Sequence, residues 1–247
     1  MDAERPDEPN GWSEETSRDF INYGRYIVPE RDTQMQIICS LLSDLDSSGI
    51  ILDLCCGEGL LEEILMDKFP TISIHGLDGS DEMLQKASQR LSRFGEGFRG
   101  WKFELSSPAW RKPGHPFNAV VSSLAIHHLL GPHKQALFMD VNQMLKPNGI
   151  FIIADVIEPG TMGKELAAVT LDEIVRKRSF ELDGNSSAFD FFKREGWNIF
   201  RYLDPEDIDK PSPLFDQLKW LEQAGFVEID VHWILAGHAI FSARKAK

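Results

Sequence analysis

The sequence has few cysteines, few basic residues and no long apolar run. Its three cysteines, Cys39, Cys55 and Cys56, are odd in number and include an adjacent pair, which excludes an ordinary disulfide framework. Three thiols without CxxC spacing are also poor zinc ligands, so we predict no metal site. No apolar run reaches the roughly 18 residues of a membrane span, and residues 1–30 are polar and acidic, unlike a secretory signal. We therefore expect a cytoplasmic protein with no membrane contact.

The shortage of basic residues has its own consequence. The 247 residues contain 26 Lys and Arg against 39 Asp and Glu, which gives a net charge of −13. Non-specific nucleic-acid binding requires a cationic surface, so we predict no nucleic-acid partner. The 42% hydrophobic and 26% charged residues are ordinary values for a globular protein.

Short apolar runs alternate with segments of helical spacing along most of the chain. The runs lie at residues 50–54, 72–77, 101–105, 119–124 and 150–156, and two more at 226–233 and 239–244 form a predicted terminal hairpin. Uninterrupted apolar strands separated by helices are typical of a parallel sheet that is covered on both faces. We predict an α/β fold with a seven-stranded, mainly parallel sheet, helices on both faces and an antiparallel last strand.

The chain divides into two parts by composition. Residues 1–30 predict a loose tail followed by a helical arm, and residues 31–247 predict one domain. The strand pattern stops between about residues 160 and 213, where the chain is rich in Phe, Trp and charge. This segment predicts a helical insertion over the sheet, before the C-terminal hairpin.

A glycine turn follows the first apolar run, in the sequence ILDLCCGEG that begins at residue 51. Gly57 and Gly59 lie between a strand and a helix, where glycine allows a positive φ or close approach of a ligand. This position is the carboxyl edge of a parallel sheet, where open α/β folds bind ligands. Asp78 follows the second strand and is placed to accept hydrogen bonds from both hydroxyls of a ribose. The pattern predicts a nucleoside cofactor.

The acids around the turn narrow the choice of cofactor. Nicotinamide and flavin dinucleotides place a pyrophosphate at the helix N-terminus. Here Glu58, Glu62 and Glu63 stand in that region, and the third glycine of a GxGxxG pattern would fall on Glu62. These carboxylates disfavour a nicotinamide-dependent oxidoreductase, and Gly163-Lys164 does not form a P-loop. A cationic nucleoside without phosphate, such as S-adenosylmethionine, fits better.

Four segments in order give a family resemblance: ILDLCCGEG, IHGLDGSDEML, VVSSLAIHHL and MLKPNGIFIIADV. Over roughly residues 30–157 the chain resembles class I S-adenosylmethionine-dependent methyltransferases. The resemblance implies a Rossmann-like fold, S-adenosylmethionine as cofactor and methyl transfer. It also implies that Asp53, Gly57 and Gly59 line the methionyl site and that Asp78 holds the ribose.

The resemblance also carries weaker cofactor contacts. Cys55 stands where the family has its first glycine, and Met83 is a candidate for packing on the adenine. Ser106 and Ser107 stand where an acid usually reaches the adenine amino group, and a hydroxyl could accept the same bond. The further cofactor-binding candidates are Gly79 and Ser123.

Two groups of residues are candidates for the acceptor side of the reaction. His127 and His128 follow the fourth strand, and a neutral imidazole there could act as a general base. The alternative is that the pair is structural. Arg25 and Tyr26 lie in the arm, where Arg25 could contact the cofactor carboxylate as part of a lid. The alternative is ordinary aromatic packing beside a solvated arginine.

We predict a methyltransferase that acts on a small-molecule acceptor beneath the insertion, which would form an acceptor lid. A looser likeness, through the N-terminal arm and the terminal hairpin, is to carboxy-S-adenosylmethionine synthases. Such an activity would need a cation beside the methyl site, and the sequence does not place one. A non-catalytic protein that binds the cofactor is the third interpretation, and the sequence leaves a homodimer open.

Overall fold

The computed structural model describes residues 12–45, 48–202 and 208–247, and over these residues it contains nine α-helices and seven strands. The strands are β1 (Ile50–Leu54), β2 (Ser73–Asp78), β3 (Phe98–Lys102), β4 (Phe117–Ser123), β5 (Leu145–Val156), β6 (Phe226–Leu235) and β7 (His238–Lys245). The helices are α1 (Glu14–Ile27), α2 (Arg31–Leu41), α3 (Leu60–Lys68), α4 (Asp81–Arg90), α5 (Gly131–Met144), α6 (Thr161–Asp183), α7 (Ser187–Arg194), α8 (Ile199–Tyr202) and α9 (Leu214–Gln223).

All seven strands form one sheet in the order β3-β2-β1-β4-β5-β7-β6. The strands β1 to β5 pair in parallel, and β7 pairs antiparallel with both β5 and β6. This confirms the predicted mainly parallel, Rossmann-like sheet with an antiparallel last strand. The third strand was predicted at residues 101–105, but it lies at Phe98–Lys102, and its last four residues are exposed. An edge strand with one buried residue lacks the apolar run that marks the central strands.

Burial on both faces explains the continuous apolar runs of the central strands. On one face, Ile51, Ile74 and Ile152 pack with residues of α2, α3 and α4. On the other face, Leu52 and Phe151 pack with residues of α5 and α9. The helices therefore hold the carboxyl ends of β1, β2, β4 and β5 at one edge, where the loops that follow them meet.

The N-terminal arm begins with a helix cap. The Ser13 hydroxyl accepts a hydrogen bond of 3.1 Å from the backbone N–H of Thr16, which starts α1. Tyr23 of α1 stacks on Phe191 of α7, with ring centroids 3.7 Å apart. A third apolar cluster joins Tyr26 of the arm to α6, α7 and α8. The arm and the helical insertion are thus packed together.

The insertion between β5 and α9 consists of α6, α7, α8 and the segment after them. It was predicted over about residues 160–213, of which 203–207 lie outside the described residues, as does the tail at residues 1–11. The 23-residue helix α6 ends at Gly184, whose φ of 71° is the left-handed conformation that glycine adopts readily. Within the described ranges, no helix combines the length and apolar character that a membrane span requires.

Candidate functional site

The glycine turn between β1 and α3 has one closely packed and one open position. Gly57 has a φ of 57° and Gly59 a φ of 81°. A Cβ at Gly59 would lie 3.0 Å from Leu91 Cδ1 and 3.1 Å from Ala87 Cα, so this glycine allows α3 to approach α4. At Gly57 the nearest atom to such a Cβ is Met83 Sδ at 3.9 Å, so this side of the turn leaves room for a ligand.

The two cysteines of the turn differ in backbone conformation. Cys55 has a φ of 63°, the left-handed region that the glycine of the resembling family would occupy without strain. Cys56 is buried in the core, and its Sγ would lie 2.9 Å from a Cβ at Gly76. Burial, followed by the nearby carboxylates, raises the pKa of both thiols. Both are therefore neutral, poorly nucleophilic groups that fill space.

Asp78 ties the glycine turn to the start of α4. Its carboxylate accepts hydrogen bonds from the backbone N–H groups of Gly57 at 2.8 Å and Ser80 at 2.9 Å. Burial raises the pKa of Asp78, although these two hydrogen bonds act in the opposite direction. The predicted ribose acid thus lies at the sheet edge, beside the open position at Gly57.

A second carboxylate, missed in the sequence, caps α4 from the N-terminal arm. Glu14 accepts hydrogen bonds from the Ser80 hydroxyl at 2.7 Å and from the backbone N–H groups of Asp81 at 2.9 Å and Glu82 at 3.3 Å. The hydrogen bond from Ser80 is the main cause that lowers the pKa of Glu14. In the sequence, Glu14 shows only as an acid in the first turn of α1. Its role depends on the packing of the arm against α4.

Asp53 and Glu62 form a buried carboxyl pair beneath the turn. Asp53 is 2% exposed and Glu62 is fully buried. If both groups were ionised, Asp53 Oδ1 and both Glu62 oxygens would have no hydrogen-bond partner among the described residues. A proton shared between the two groups lets one carboxyl donate a hydrogen bond to the other. Burial is the main cause that raises the pKa of Asp53 well above its ordinary value and that of Glu62 to about 7. Asp53 therefore supports the turn from below.

Arg25 and Tyr26 contact Asp183 of α6, whereas the sequence predicted a cofactor contact for them. The Tyr26 hydroxyl donates to Asp183 Oδ2 at 2.7 Å, and Arg25 Nη2 donates to the Tyr26 hydroxyl and lies 3.6 Å from Asp183 Oδ1. Tyr26 is 3% exposed within the cluster formed with the insertion. These contacts favour the packing alternative for this pair, since Asp183 of α6 binds both polar groups.

Arg31, at the start of α2, lies close enough to the turn to interact electrostatically with Glu58, and the sequence did not single it out. Its guanidinium lies over the Phe20 ring, 5.5 Å from the centroid. Burial lowers the pKa of Arg31, while the charges of Glu58 and Asp32 oppose this shift. Among the described residues no carboxylate forms an ion pair with Arg31, because Glu58 is bound by Arg90 at 2.9 Å. Arg31 is therefore a candidate for holding a ligand carboxylate.

The loop after β3 reaches the same edge. Ser106 is exposed and its hydroxyl donates to Glu104, while the Ser107 hydroxyl accepts from the backbone N–H of Ala109 at 3.2 Å. An acid, Glu104, lies two residues after β3. The adenine contact was predicted at Ser106 and Ser107 and not at Glu104. Ser123 is the last residue of β4 and is half-buried.

Gly79 lies between Asp78 and the cap of α4. A Cβ there would lie 3.4 Å from the carbonyl oxygen of Phe103, so the segment after β3 packs directly against it. Met83, in the first turn of α4, is 4% exposed beside the open position at Gly57. The structure thus brings Gly57, Asp78, Gly79 and Met83 together at one edge.

His127 lies between two carboxylates. Its Nδ1 is 2.5 Å from Asp155 Oδ1, its backbone N–H donates to Asp155 Oδ2 at 2.8 Å, and its Nε2 is 3.3 Å from Asp209 Oδ1. Burial by itself would lower the pKa of His127, but Asp155 and Asp209 raise it to about 10. A ring that is protonated at neutral pH has no lone pair to accept a proton, which argues against His127 as the predicted base.

His128 is the more accessible of the two histidines. Its Nδ1 lies 3.1 Å from Asp209 Oδ1, and its ring lies 5.6 Å from that of Trp12, centroid to centroid. Burial and then the adjacent charge of His127 lower the pKa of His128, so its ring is neutral at pH 7. Asp209 comes from the segment between α8 and α9. No local pattern pointed to it, because it meets the histidines only through the tertiary fold.

The acids around the turn suit a cationic nucleoside without phosphate groups. Glu62 is buried with Asp53 and Glu58 is paired with Arg90, so neither repels a phosphate in the direct way the sequence suggested. The carboxylates of Asp78 and Glu14 instead place two negative charges at the same edge of the sheet, beside the start of α4. Asp78 and the open side of Gly57 fit an adenosyl sulfonium, with hydroxyls to bind and a positive charge to balance.

The comparisons with known proteins agree with this geometry. Residues 51–149 match the family model described as a methyltransferase domain. The chain is 22% identical over 202 residues to the carboxy-S-adenosyl-L-methionine synthase of a Nitratiruptor species. The aligned region covers 80% of this chain and 76% of that protein. It is 31% identical to the trans-aconitate 2-methyltransferase of Yersinia pestis (strain Pestoides F), over 44% of this chain and 39% of that protein.

Solved structures share the fold. The phosphoethanolamine N-methyltransferase 2 of Haemonchus contortus, in complex with S-adenosyl-L-methionine, superposes with a TM-score of 0.64 at 15% identity and covers 96% of this chain. The apo methyltransferase SibL superposes with a TM-score of 0.56 at 15% identity and covers 88% of this chain. The chain spans 58% and 57% of these two proteins, less than two thirds of each. Residues 51–149 match the methyltransferase family, and the sheet order and the geometry of the glycine turn agree with a class I S-adenosylmethionine-dependent methyltransferase.

Proposed function

We propose that this methyltransferase acts on a small-molecule acceptor in a site roofed by the insertion. The observation that carries the proposal is the reach of the insertion: Asp209 lies 3.1 Å from His128, at the edge where the methyl group is transferred in this family. The arm closes the same side, since Trp12 packs on His128 and Tyr23 stacks on Phe191. A roofed site suits a small acceptor, and the net charge of −13 disfavours a nucleic acid.

In this proposal the cofactor lies along the glycine turn. Asp78 accepts hydrogen bonds from the ribose hydroxyls, Gly57 and Gly59 pass beside the methionyl group, and Met83 packs on the adenine. Arg31 replaces Arg25 as the candidate for the methionyl carboxylate. The half-buried guanidinium of Arg31, which has no paired carboxylate among the described residues, supports this choice, because a ligand carboxylate would accept its hydrogen bonds. Asp53 and Cys55 shape the turn.

The chemical step is an in-line displacement at the methyl carbon. The acceptor atom forms its bond to the methyl group as the bond to sulfur breaks, and the electron pair of that bond returns to sulfur, leaving S-adenosylhomocysteine. Alignment supplies most of the rate enhancement, about 7 to 11 kcal/mol. An acceptor hydroxyl or amine also loses a proton. His128, which is neutral and lies next to Asp209, is the residue proposed to accept this proton as a general base.

Calorimetric titration with S-adenosylhomocysteine and with NAD tests the cofactor site. We expect Asp78→Asn to weaken S-adenosylhomocysteine binding at least 10-fold, because charge-assisted hydrogen bonds contribute about 1.5 to 3 kcal/mol each. Asp81→Asn is the matched control, since Asp81 is exposed and pairs with Lys102, and it should leave the affinity within about twofold. Tighter binding of NAD, or an unchanged affinity in Asp78→Asn, would contradict the assignment.

Label transfer tests the class of acceptor. The protein is incubated with S-adenosylmethionine labelled in its methyl group and with the small-molecule, protein and RNA fractions of a cell extract in turn. We expect label to enter the small-molecule fraction, and His128→Phe to reduce that transfer while leaving S-adenosylhomocysteine affinity unchanged. Label confined to RNA or protein would refute the proposal. Cofactor binding with no transfer to any fraction would favour the non-catalytic alternative.

A carboxy-S-adenosylmethionine synthase-like activity is the second candidate. It is supported by the two synthases, from Nitratiruptor and Nautilia profundicola, which cover 80% and 86% of this chain. Such a site requires a cation beside the methyl group. The buried Lys134 does not supply it, because its Nζ donates to the Lys210 carbonyl and the Ser212 hydroxyl at 2.5 and 2.8 Å. Mass spectrometry of the ligand retained through purification separates the two, since only the synthase would carry a carboxymethyl sulfonium.

A cytoplasmic location and a homodimer remain predictions from the sequence. Size-exclusion chromatography with light scattering tests the second.

A further inference from the structure

Three potential metal ligands converge beside the proposed acceptor site. They are His127 Nε2, His128 Nδ1 and a carboxylate oxygen of Asp209, and the three atoms lie within 4.8 Å of one another. Asp209 Oδ1 is 3.3 Å from the first nitrogen and 3.1 Å from the second. The two histidines follow β4, whereas Asp209 comes from the insertion. The cluster therefore joins two separate parts of the fold.

The contacts of Asp209 differ from ordinary hydrogen bonds. His128 Nδ1 is buried and makes no well-aligned hydrogen bond to the residues that the structure describes, although Asp209 Oδ1 is only 3.1 Å away. Ligands bound at about 2.0 to 2.1 Å to a tetrahedral metal are separated from each other by roughly 3.3 Å. The two contacts of Asp209 have this separation. An unpartnered buried nitrogen beside a carboxylate is thus placed as a metal ligand would be.

A second carboxylate fixes the orientation of His127. Asp155 of β5 is 2% exposed, and it binds both the Nδ1 atom and the backbone N–H of His127. A histidine that binds a metal commonly donates its other ring N–H to a carboxylate, which orients the ring and makes its free nitrogen more basic. Asp155 has this position relative to His127, and the ring consequently presents Nε2 to Asp209.

We propose that His127, His128 and Asp209 bind a divalent transition-metal ion. Two imidazole nitrogens and one carboxylate oxygen suit Zn²⁺, Fe²⁺, Mn²⁺ or Ni²⁺, and three protein ligands leave a coordination position open. The binding of the metal does not depend on the proposed function. Its role does: an acceptor oxygen in the open position would lose its proton to solvent more readily, and the His128 ring would then act as a ligand and not as a base.

The test begins with the purified full-length protein, dialysed against EDTA and then titrated calorimetrically with ZnCl2. We expect one equivalent of Zn²⁺ to bind with micromolar or tighter affinity. His128→Phe keeps an aromatic ring beside Trp12 but removes both nitrogen atoms, so it should weaken Zn²⁺ binding at least 10-fold. Asp209→Asn should weaken Zn²⁺ binding by a similar factor. Asp155→Asn should weaken it about 10- to 100-fold through the orientation of His127. His133→Phe, at an exposed histidine outside the cluster, is the matched control and should bind as the wild type does.

A second readout keeps the test independent of variant folding. Co²⁺ bound to the wild-type protein should show the visible bands of a four-coordinate site with nitrogen and oxygen ligands, without a thiolate charge-transfer band. Failure of the wild type to bind Zn²⁺ or Co²⁺ at micromolar concentration would overturn the proposal and leave the cluster as a network of ion pairs. Binding that persists unchanged in folded His128→Phe and Asp209→Asn would overturn it as well. S-adenosylhomocysteine affinity, measured on the same preparations, separates failure of this proposal from failure of the proposed function.

Discussion

At the scale of single residues, Cys55 shows how the turn tolerates a departure from the family pattern. Its φ of 63° is a left-handed conformation, which costs an L-residue about 1–2 kcal/mol relative to the right-handed region. Gly59, which allows the close approach of α3 to α4, and Gly57, which leaves the open position, remain glycines. The turn therefore keeps its path, and the strain is confined to the position farthest from the start of α3.

This strain predicts a difference between two cysteine substitutions. Cys55→Gly removes about 1–2 kcal/mol of strain but gives the unfolded chain conformational freedom worth about 0.4–1 kcal/mol, so the free energy of unfolding should stay the same or rise by at most about 1.6 kcal/mol. Cys56→Gly has the same entropic cost and also loses a buried side chain, so it should cost about 2 kcal/mol or more. Urea unfolding of both variants measures the difference. Equal losses would show that Cys55 is not strained.

At the scale of elements, the β6–β7 hairpin is locked to the insertion through its turn. Gly237 has a φ of 73°, and a Cβ at this position would overlap the ring of Phe200 in α8. The backbone N–H of Ile157, just after β5, also donates to the carbonyl of Gly237 at 2.9 Å. The hairpin turn thus helps to position the insertion, and with it the segment that carries Asp209.

Two glycine substitutions separate backbone strain from this packing. Gly237→Ala and Gly225→Ala both place an L-residue at positive φ, but nothing lies within 4 Å of a Cβ at Gly225. Gly237→Ala should therefore be the less stable by about 1–3 kcal/mol, the usual cost of overpacking a core. Thermal or urea unfolding gives the comparison. If the two variants lose the same stability, Phe200 moves aside freely and the hairpin does not hold the insertion.

At the scale of the whole molecule, the buried carboxyl pair makes the stability of the fold depend on pH. Glu62 faces Asp53 of β1, Asp78 of β2 and Arg90 of α4, and burial is the main cause that raises the pKa of Glu62 to about 7. Its ordinary value is 4.5, so between these pH values the folded protein keeps a proton that the unfolded chain releases. Stability from this group is therefore present at acidic pH and is lost as the pH rises toward 7.

Glu62→Gln should accordingly flatten the pH dependence of folding. In the wild type, one such group lowers the free energy of unfolding by at most about 1.4 kcal/mol per pH unit over this interval. The slope should be shallower in Glu62→Gln, because a neutral amide has no proton to lose. The pH dependence that remains comes from Asp53 and Asp78, whose pKa values are also raised by burial. Glu222→Gln, at an exposed glutamate of α9, should keep the wild-type slope. Urea unfolding at several pH values measures all three proteins, and identical slopes would refute the buried pair.

Local patterns in the sequence were sufficient for the sheet and for half of the site. Apolar runs of strand length and helical spacing between them depend on neighbouring residues, so β1, β2 and β4 were predicted within two residues of their observed bounds, whereas β5 begins five residues before its predicted start. Local patterns also predicted that Gly57, Gly59 and Asp78 lie close together. The turn after one parallel strand and the end of the next strand must meet at one edge of the sheet. The strand β3 was shifted, since an exposed edge strand has little apolar signal.

Only the tertiary structure decided which distant groups meet at that edge. The prediction that no metal site exists considered thiols alone, whereas the ligands now proposed are two histidines after β4 and Asp209 from the insertion. For Arg25 the sequence left a cofactor contact and ordinary packing equally open, and the packing of α1 on α6 places Arg25 beside Asp183 and leaves Arg31 near Glu58 of the turn. Periodicity determines which face of an element is buried, but the neighbour that it meets depends on how all the elements pack. The sequence therefore determined the cofactor edge, and tertiary packing determined the acceptor side.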